Sequence, residues 1–100
     1  MLQNFRSYQL SLQLYRECER VTAPHHLKDQ LARATLSVVL NLAEGSAKPT
    51  PKERRRFYSI ALASTREVQA LIEILGRRDL WPAADQVGAC LYRLVNPRPD

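Results

Sequence analysis

Six prolines, at positions 24, 49, 51, 82, 97 and 99, punctuate this 100-residue chain, and none falls inside a periodic apolar stretch. Proline removes a backbone donor and clashes with the preceding turn, so it breaks helix interiors yet suits a first turn. The prolines therefore bound four segments, at roughly 4–21, 24–45, 51–76 and 82–95, followed by a tail over 97–100. Apolar residues recur at spacings of three and four within them, and nothing alternates with period two over a strand's length. Composition points the same way, with 15 Leu and 11 Ala against 9 Val plus Ile and 3 Gly, a balance that favours helix over sheet. The expected fold is all-α: one domain over residues 1–96, built as an antiparallel up-down four-helix bundle.

In the first segment Phe5, Tyr8, Leu12 and Tyr15 form the expected core stripe, broadened by Leu10, Leu14 and Val21. The second places Leu27, Leu31, Ala34, Val38 and Leu42 on one face, but Leu36, Val39, Leu40 and Ala43 cover most of the remaining circumference. A helix apolar all round must be buried on more than one side. A bundle this small can hardly cover every face of one member, so a self-association surface is expected there. The third segment opens on Thr50-Pro51-Lys52-Glu53, a capping box in which Thr50 caps a free amide and Glu53 reaches back to its backbone. Its core stripe is expected at Phe57, Ile60, Ala61, Ser64, Val68, Leu71 and Leu75, with Gly76 as the stop. In the fourth, Ala84, Val87, Leu91, Leu94 and Val95 face inward.

The short stretch between Gly45 and Thr50 forces the second and third helices antiparallel. Facing positions should then sum to roughly 96–100, setting Ala34 against Ser64 and Ser37 against Ala61, a tight seam of small residues. The same register brings Arg33 near Glu67 and Glu44 near Arg54. Glu44 sits in a last turn, where the helix dipole disfavours a carboxylate, so a cationic partner is expected and Arg54 is the candidate. Arg33, Ser37, Asn41 and Glu44 run as one polar line down an otherwise apolar helix. With Ser64 and Glu67 they make either a polar seam that fixes helix register or a ligand groove.

The net charge of +5 is unevenly spread: residues 45–60 carry Lys48, Lys52, Arg54, Arg55 and Arg56 against Glu53 alone. Lys52, Arg54, Arg55 and Arg56 occupy the first turns of the third helix, where the dipole makes a cation unfavourable by about 0.3–1 kcal/mol. Helix-end amides and guanidinium groups together suit a phosphate. The cluster is thus a candidate site for RNA or DNA phosphates, and a solvated, solubilising face is the alternative.

Enzyme motifs are missing, and a non-enzymatic protein without cofactor or metal is expected. Gly45-Ser46 is too short for a phosphate loop. His25 and His26 are adjacent and diverge on a helix, so they cannot chelate together. Cys18 and Cys90, 72 positions apart, make neither a metal cluster nor a disulfide framework and are expected as inert buried thiols. The tyrosines and Trp81 are spaced like core or interface residues. No apolar run reaches the ~18 residues of a membrane span, and no signal-peptide core opens the chain. A cytoplasmic setting with no membrane partner is expected.

The stretch QLARATLSVVLNLAEGSAKPTPKERRRFYSIALASTREVQAL resembles the bacterial four-helix-bundle proteins encoded in intervening sequences of 23S ribosomal RNA genes. The residues that carry the resemblance are Arg33, Ala34, Ser37, Asn41, Ala43, Glu44, Gly45, Phe57, Ile60, Ala61, Ser64 and Glu67. The chain departs from that pattern at Ala32, where an Arg is usual, and at Ala63, where a Gly is usual. The resemblance implies a ring- or barrel-like homopentamer. It also implies kinship with the accessory variability proteins of diversity-generating retroelements, which bind nucleic acid together with a reverse transcriptase. The expected function is a homo-oligomer that contacts RNA or DNA phosphates nonspecifically through a basic rim. The alternative is a scaffold docking an acidic partner protein, such as a reverse transcriptase.

Overall fold

The computed structural model describes the backbone of residues 2–98 and side chains over residues 5–98; Pro99 and Asp100, the end of the expected tail, lie outside the described residues. Four helices follow in order: α1 (Leu2–Glu19), α2 (His25–Ser46), α3 (Pro51–Leu75) and α4 (Trp81–Val95), with a 3-10 turn at Arg78–Leu80 leading into α4. No strand occurs among the described residues. Each helix packs on its sequence neighbour and α1 closes on α4, with α2 and α3 sharing the largest contact. The bundle measures 43 × 22 × 18 Å. No helix among the described residues is long and apolar enough to cross a membrane.

The helix ends follow from their local chemistry. The Glu53 amide donates to the Thr50 hydroxyl at 3.2 Å, satisfying one of the free donors of a first turn. The second half of the expected capping box differs: the Thr50 hydroxyl donates to the Glu53 carboxylate at 3.0 Å, so that carboxylate is spent on the side chain instead of the Thr50 backbone. At the far end Gly76 takes the left-handed conformation, φ 68°. The amides of Gly76 and Arg77 donate back to Glu73 and Ile72, the paired bonds of a Schellman stop. Arg77 then grips Asp79 through two parallel bonds of 2.9 and 2.8 Å, at the exposed corner that turns the chain into α4.

The core is drawn from all four helices, with Leu14, Leu31, Val38, Leu42, Ala61, Val68, Ile72, Val87 and Leu91 buried. On α2 the expected face is the buried one, Leu27 being only half-buried. On α1 the buried line is Ser7, Ser11, Leu14, Cys18 and Val21, while Tyr8, Leu12 and Tyr15 lie half-buried and Phe5 is exposed. The expected aromatic stripe is therefore a flank. Small serines let α1 approach the bundle closely, and Ser11 satisfies its hydroxyl on the Tyr8 carbonyl at 2.7 Å. On α3 the buried face turns toward Tyr58, Thr65, Gln69 and Ile72, leaving Phe57, Ser64 and Leu75 half-buried and Ile60 exposed. Thr65 belongs inside because its hydroxyl donates to the Ala61 carbonyl one turn back, at 2.9 Å.

The α2–α3 register also differs from expectation. Ser37 meets Ser64, hydroxyl to hydroxyl at 2.7 Å, in place of the expected Ser37–Ala61 and Ala34–Ser64 pairs. The slip has a visible cause at the hairpin end. Gly45 packs directly beneath Phe57 and Tyr58, where a Cβ would stand 2.8 Å from Tyr58 Cε1 and 3.0 Å from Phe57 Cβ. Residues 51–56 therefore overshoot the end of α2 by roughly 8 Å at 1.5 Å per residue.

That contact generates a prediction. Replacing Gly45 with Ala gains up to about 1 kcal/mol of helix propensity, but pressing a methyl against a buried ring and a backbone-anchored Cβ costs about 1–3 kcal/mol. Overpacking wins because Tyr58 is only 4% exposed and has nowhere to retreat. The melting temperature of G45A should fall by several degrees, read by circular dichroism.

Candidate nucleic-acid interface

The overshoot sets the five cations of the hairpin end in two groups. Lys48, in the loop, is held on both sides: its ammonium lies 3.5 Å from Glu44 Oε2 and 5.1 Å from the centre of the Phe57 ring. Arg54 donates from Nη1 to the Lys48 carbonyl at 2.9 Å. These two cations tie the loop to both helices. Glu44 thus meets Lys48, four residues on, in place of the expected Arg54. Arg54 is half-buried and caps the loop instead.

Lys52, Arg55 and Arg56 form the second group. All three are exposed on the projecting turns of α3, and none has a hydrogen bond or ion pair among the described residues. The one acid nearby, Glu53, accepts from Thr50. With Glu53 the one carboxylate among residues 50–58, the tip keeps a net positive charge around the positive end of a helix, a local field suited to an anion.

The polar line divides as well. Ser37, Ser64 and Asn41 join in one network, the Asn41 amide donating to the Ser37 carbonyl at 2.9 Å and to its hydroxyl at 3.2 Å. All three are half-buried, and no buried side-chain polar atom among the described residues lacks a partner. These bonds tie α2 to α3 at this register. Arg33 and Glu67 are both exposed and form no ion pair among the described residues.

Beside this network an apolar face lies open. Leu36 and Leu40 on α2 are 42% and 56% exposed, and Ile60 on α3 is 42% exposed. The Ser37–Ser64 register puts Leu40 across from Ile60, so these side chains and exposed Ala32, Ala43 and Ala63 share the outer side of the hairpin.

Groups with chemistry of their own are few. His25 sits 3.3 Å from Asp29 in the exposed first turn of α2. No cluster of three or more His, Cys, Asp or Glu able to hold a metal exists among the described residues. Both cysteines are free and buried. Burial, reinforced by the nearby Glu17 charge and opposed by Arg77, pushes the Cys18 thiol from 9.0 up to about 11, so no thiolate nucleophile is available there near neutrality.

Cys18 ionises in the unfolded chain before it does in the folded one, so the stability held by its neutral form is intact below pH 9 and drains away between pH 9 and about 11. The loss is on the order of 2 kcal/mol. Urea midpoints measured across that window should fall more steeply for the native chain than for C18A.

No curated protein and no solved structure matches the chain. The family model described as "23S rRNA-intervening sequence protein" matches residues 3–91, a span from the start of α1 into the last third of α4. It includes the whole seam and the basic tip. The chain belongs to the 23S rRNA-intervening sequence protein family.

Proposed function

We propose that this protein is a non-enzymatic homo-oligomer that binds RNA or DNA phosphates, without sequence preference, through the basic tips of its α2–α3 hairpins. The observation that carries the reading is the set of three exposed, unpaired cations, Lys52, Arg55 and Arg56, on turns that project past the neighbouring helix. Lys48 and Arg54 support the rim by holding the loop beneath it. Self-association rests on the open face of Leu36, Leu40 and Ile60, since contiguous apolar surface on a small domain favours a partner. A second copy covers it in the same way that α1 and α3 cover the rest of α2. In a ring, five subunits being the number implied by the family resemblance, the tips lie on one rim and a polyanion engages several at once, which multiplies weak contacts into avidity.

An acidic partner protein is the competing occupant of the same rim. It is distinguished by a captured protein that survives nuclease treatment while labelled RNA fails to bind.

Two measurements test the proposal. The double variant L36K/L40K should run as a monomer of 11.5 kDa in light scattering, where the native chain runs as a larger particle; a native monomer at micromolar concentration sinks the oligomer. The variant R55E/R56E should lose about tenfold or more of its affinity for a labelled RNA at low salt, and its log–log salt slope should shrink by about 1–2. Unchanged retention of the RNA removes the rim from the account.

A further inference from the structure

The α3–α4 side carries a second set of cations that the charge cluster at residues 45–60 does not include. A groove of about 620 Å³ there is lined by Arg66 of α3, by Asp85, Tyr92 and Arg93 of α4, and by Asn96 and Arg98 beyond it. Three guanidinium groups thus face one carboxylate. None of the three arginines forms an ion pair among the described residues. Arg66 donates from Nη1 to the neutral Gln69 Oε1 at 2.9 Å, and Arg93 makes only a long contact to Cys90 Sγ, at 3.6 Å. The groove keeps a net positive charge.

Gly88 explains how Arg66 comes to lie there. A glycine in mid-helix costs about 1 kcal/mol relative to alanine, and α4 carries one at a buried position. A Cβ at Gly88 would stand 2.9 Å from Arg66 Nη1 and 3.7 Å from its Cζ. The guanidinium therefore occupies the space of the missing side chain, and Gln69, itself buried, holds it from the other side. Tyr92 supplies a different surface: unlike buried Tyr58, it is 55% exposed, beside Arg93 in sequence and in the same groove. An exposed aromatic face among guanidinium groups is the arrangement on which unpaired bases stack while phosphates are neutralised.

The groove also leads somewhere. Arg55, Ser59 and Arg66 stand at i, i+4 and i+11 on α3 and share one side of it. Because α4 runs antiparallel to α3, the Arg98 end of the groove lies toward the basic tip. We propose that the α3–α4 groove binds single-stranded nucleic acid, its phosphates on Arg66, Arg93 and Arg98 and an unpaired base on Tyr92, as the continuation of the path that starts at the rim. This rests on the rim reading for where the strand enters, and adds to it a preference for single strands over duplex, whose bases are not free to stack.

The test uses the full chain with a labelled single-stranded RNA oligomer and the same RNA annealed to its complement. R66A/R93A and Y92A should each lose about tenfold in affinity for the single strand, with duplex binding changed by less than about twofold, and Y92F should bind as the native chain does. Far-UV circular dichroism establishes that each variant remains helical. Single-strand binding unchanged in both groove variants, or single-strand and duplex binding falling in equal measure, overturns the groove assignment. The two proposals fail separately. If R55E/R56E weakens both RNAs while the groove variants weaken neither, the groove falls and the rim stands. If only the groove variants matter, the rim falls.

Discussion

Two helices of this bundle touch where one of them has no side chain, and the rest of the molecule depends on that contact. Gly45 lies under Tyr58 and Phe57 closely enough that a single methyl would collide with both. Because the close approach sits near the end of α2, it draws α3 along until Ser37 meets Ser64. Hydroxyls at a distance of 2.7 Å then hold that register, with Asn41 donating into the same pair. The seam is narrow because its members are small and satisfied because each hydroxyl and amide finds a partner within it. A bulky residue or an unpaired polar group here would separate the helices that carry everything else.

Register turns into electrostatics at the hairpin end. With α3 advanced past α2, its first turns project, and the loop must climb alongside them. Lys48 and Arg54 secure that climb, one between a carboxylate and a ring, the other on a backbone carbonyl. Their charge is used inside the protein. Lys52, Arg55 and Arg56 have no such work and point into solvent from the positive end of the helix. Each such cation is worth a small penalty to the isolated domain, which an anionic partner reverses. The same reasoning separates the polar line into parts: Ser37, Asn41 and Ser64 serve the fold, while Glu44 serves the loop and Arg33 and Glu67 remain solvated.

Apolar surface is distributed with less economy than the helical periodicities suggest. Serines and threonines occupy buried positions on α1 and α3 by turning their hydroxyls onto nearby backbone carbonyls, and larger side chains such as Phe5, Ile60 and Tyr92 are displaced outward. On α2 the residues that face away from the bundle include Leu36 and Leu40. These outward side chains are the material of both proposals, self-association on the hairpin face and base stacking on the α4 face.

The amino-acid order alone was sufficient for the four helices, their ends at Thr50 and Gly76, the apolar face of α2, the small-residue seam and the concentration of charge near residues 48–56. All of these are local: propensity, periodicity, capping and composition act over a few residues. The buried faces of α1 and α3 were legible only in part, at Leu14, Val21, Ala61, Val68 and Leu71, because a serine or threonine that satisfies itself on its own helix reads as polar in the sequence and packs as a small residue in the bundle. Nor were the partners of Glu44 and Arg54 legible, since a shift of register by a single turn reassigns every cross-helix pair. The groove that joins Arg66 to Arg93 and Arg98 is spread over 33 positions, from 66 to 98, and becomes a cluster only when α4 folds back on α3 with a glycine at the point of contact. Tertiary structure decided these things because they depend on distances between helices, and those distances are set by the smallest side chains between them.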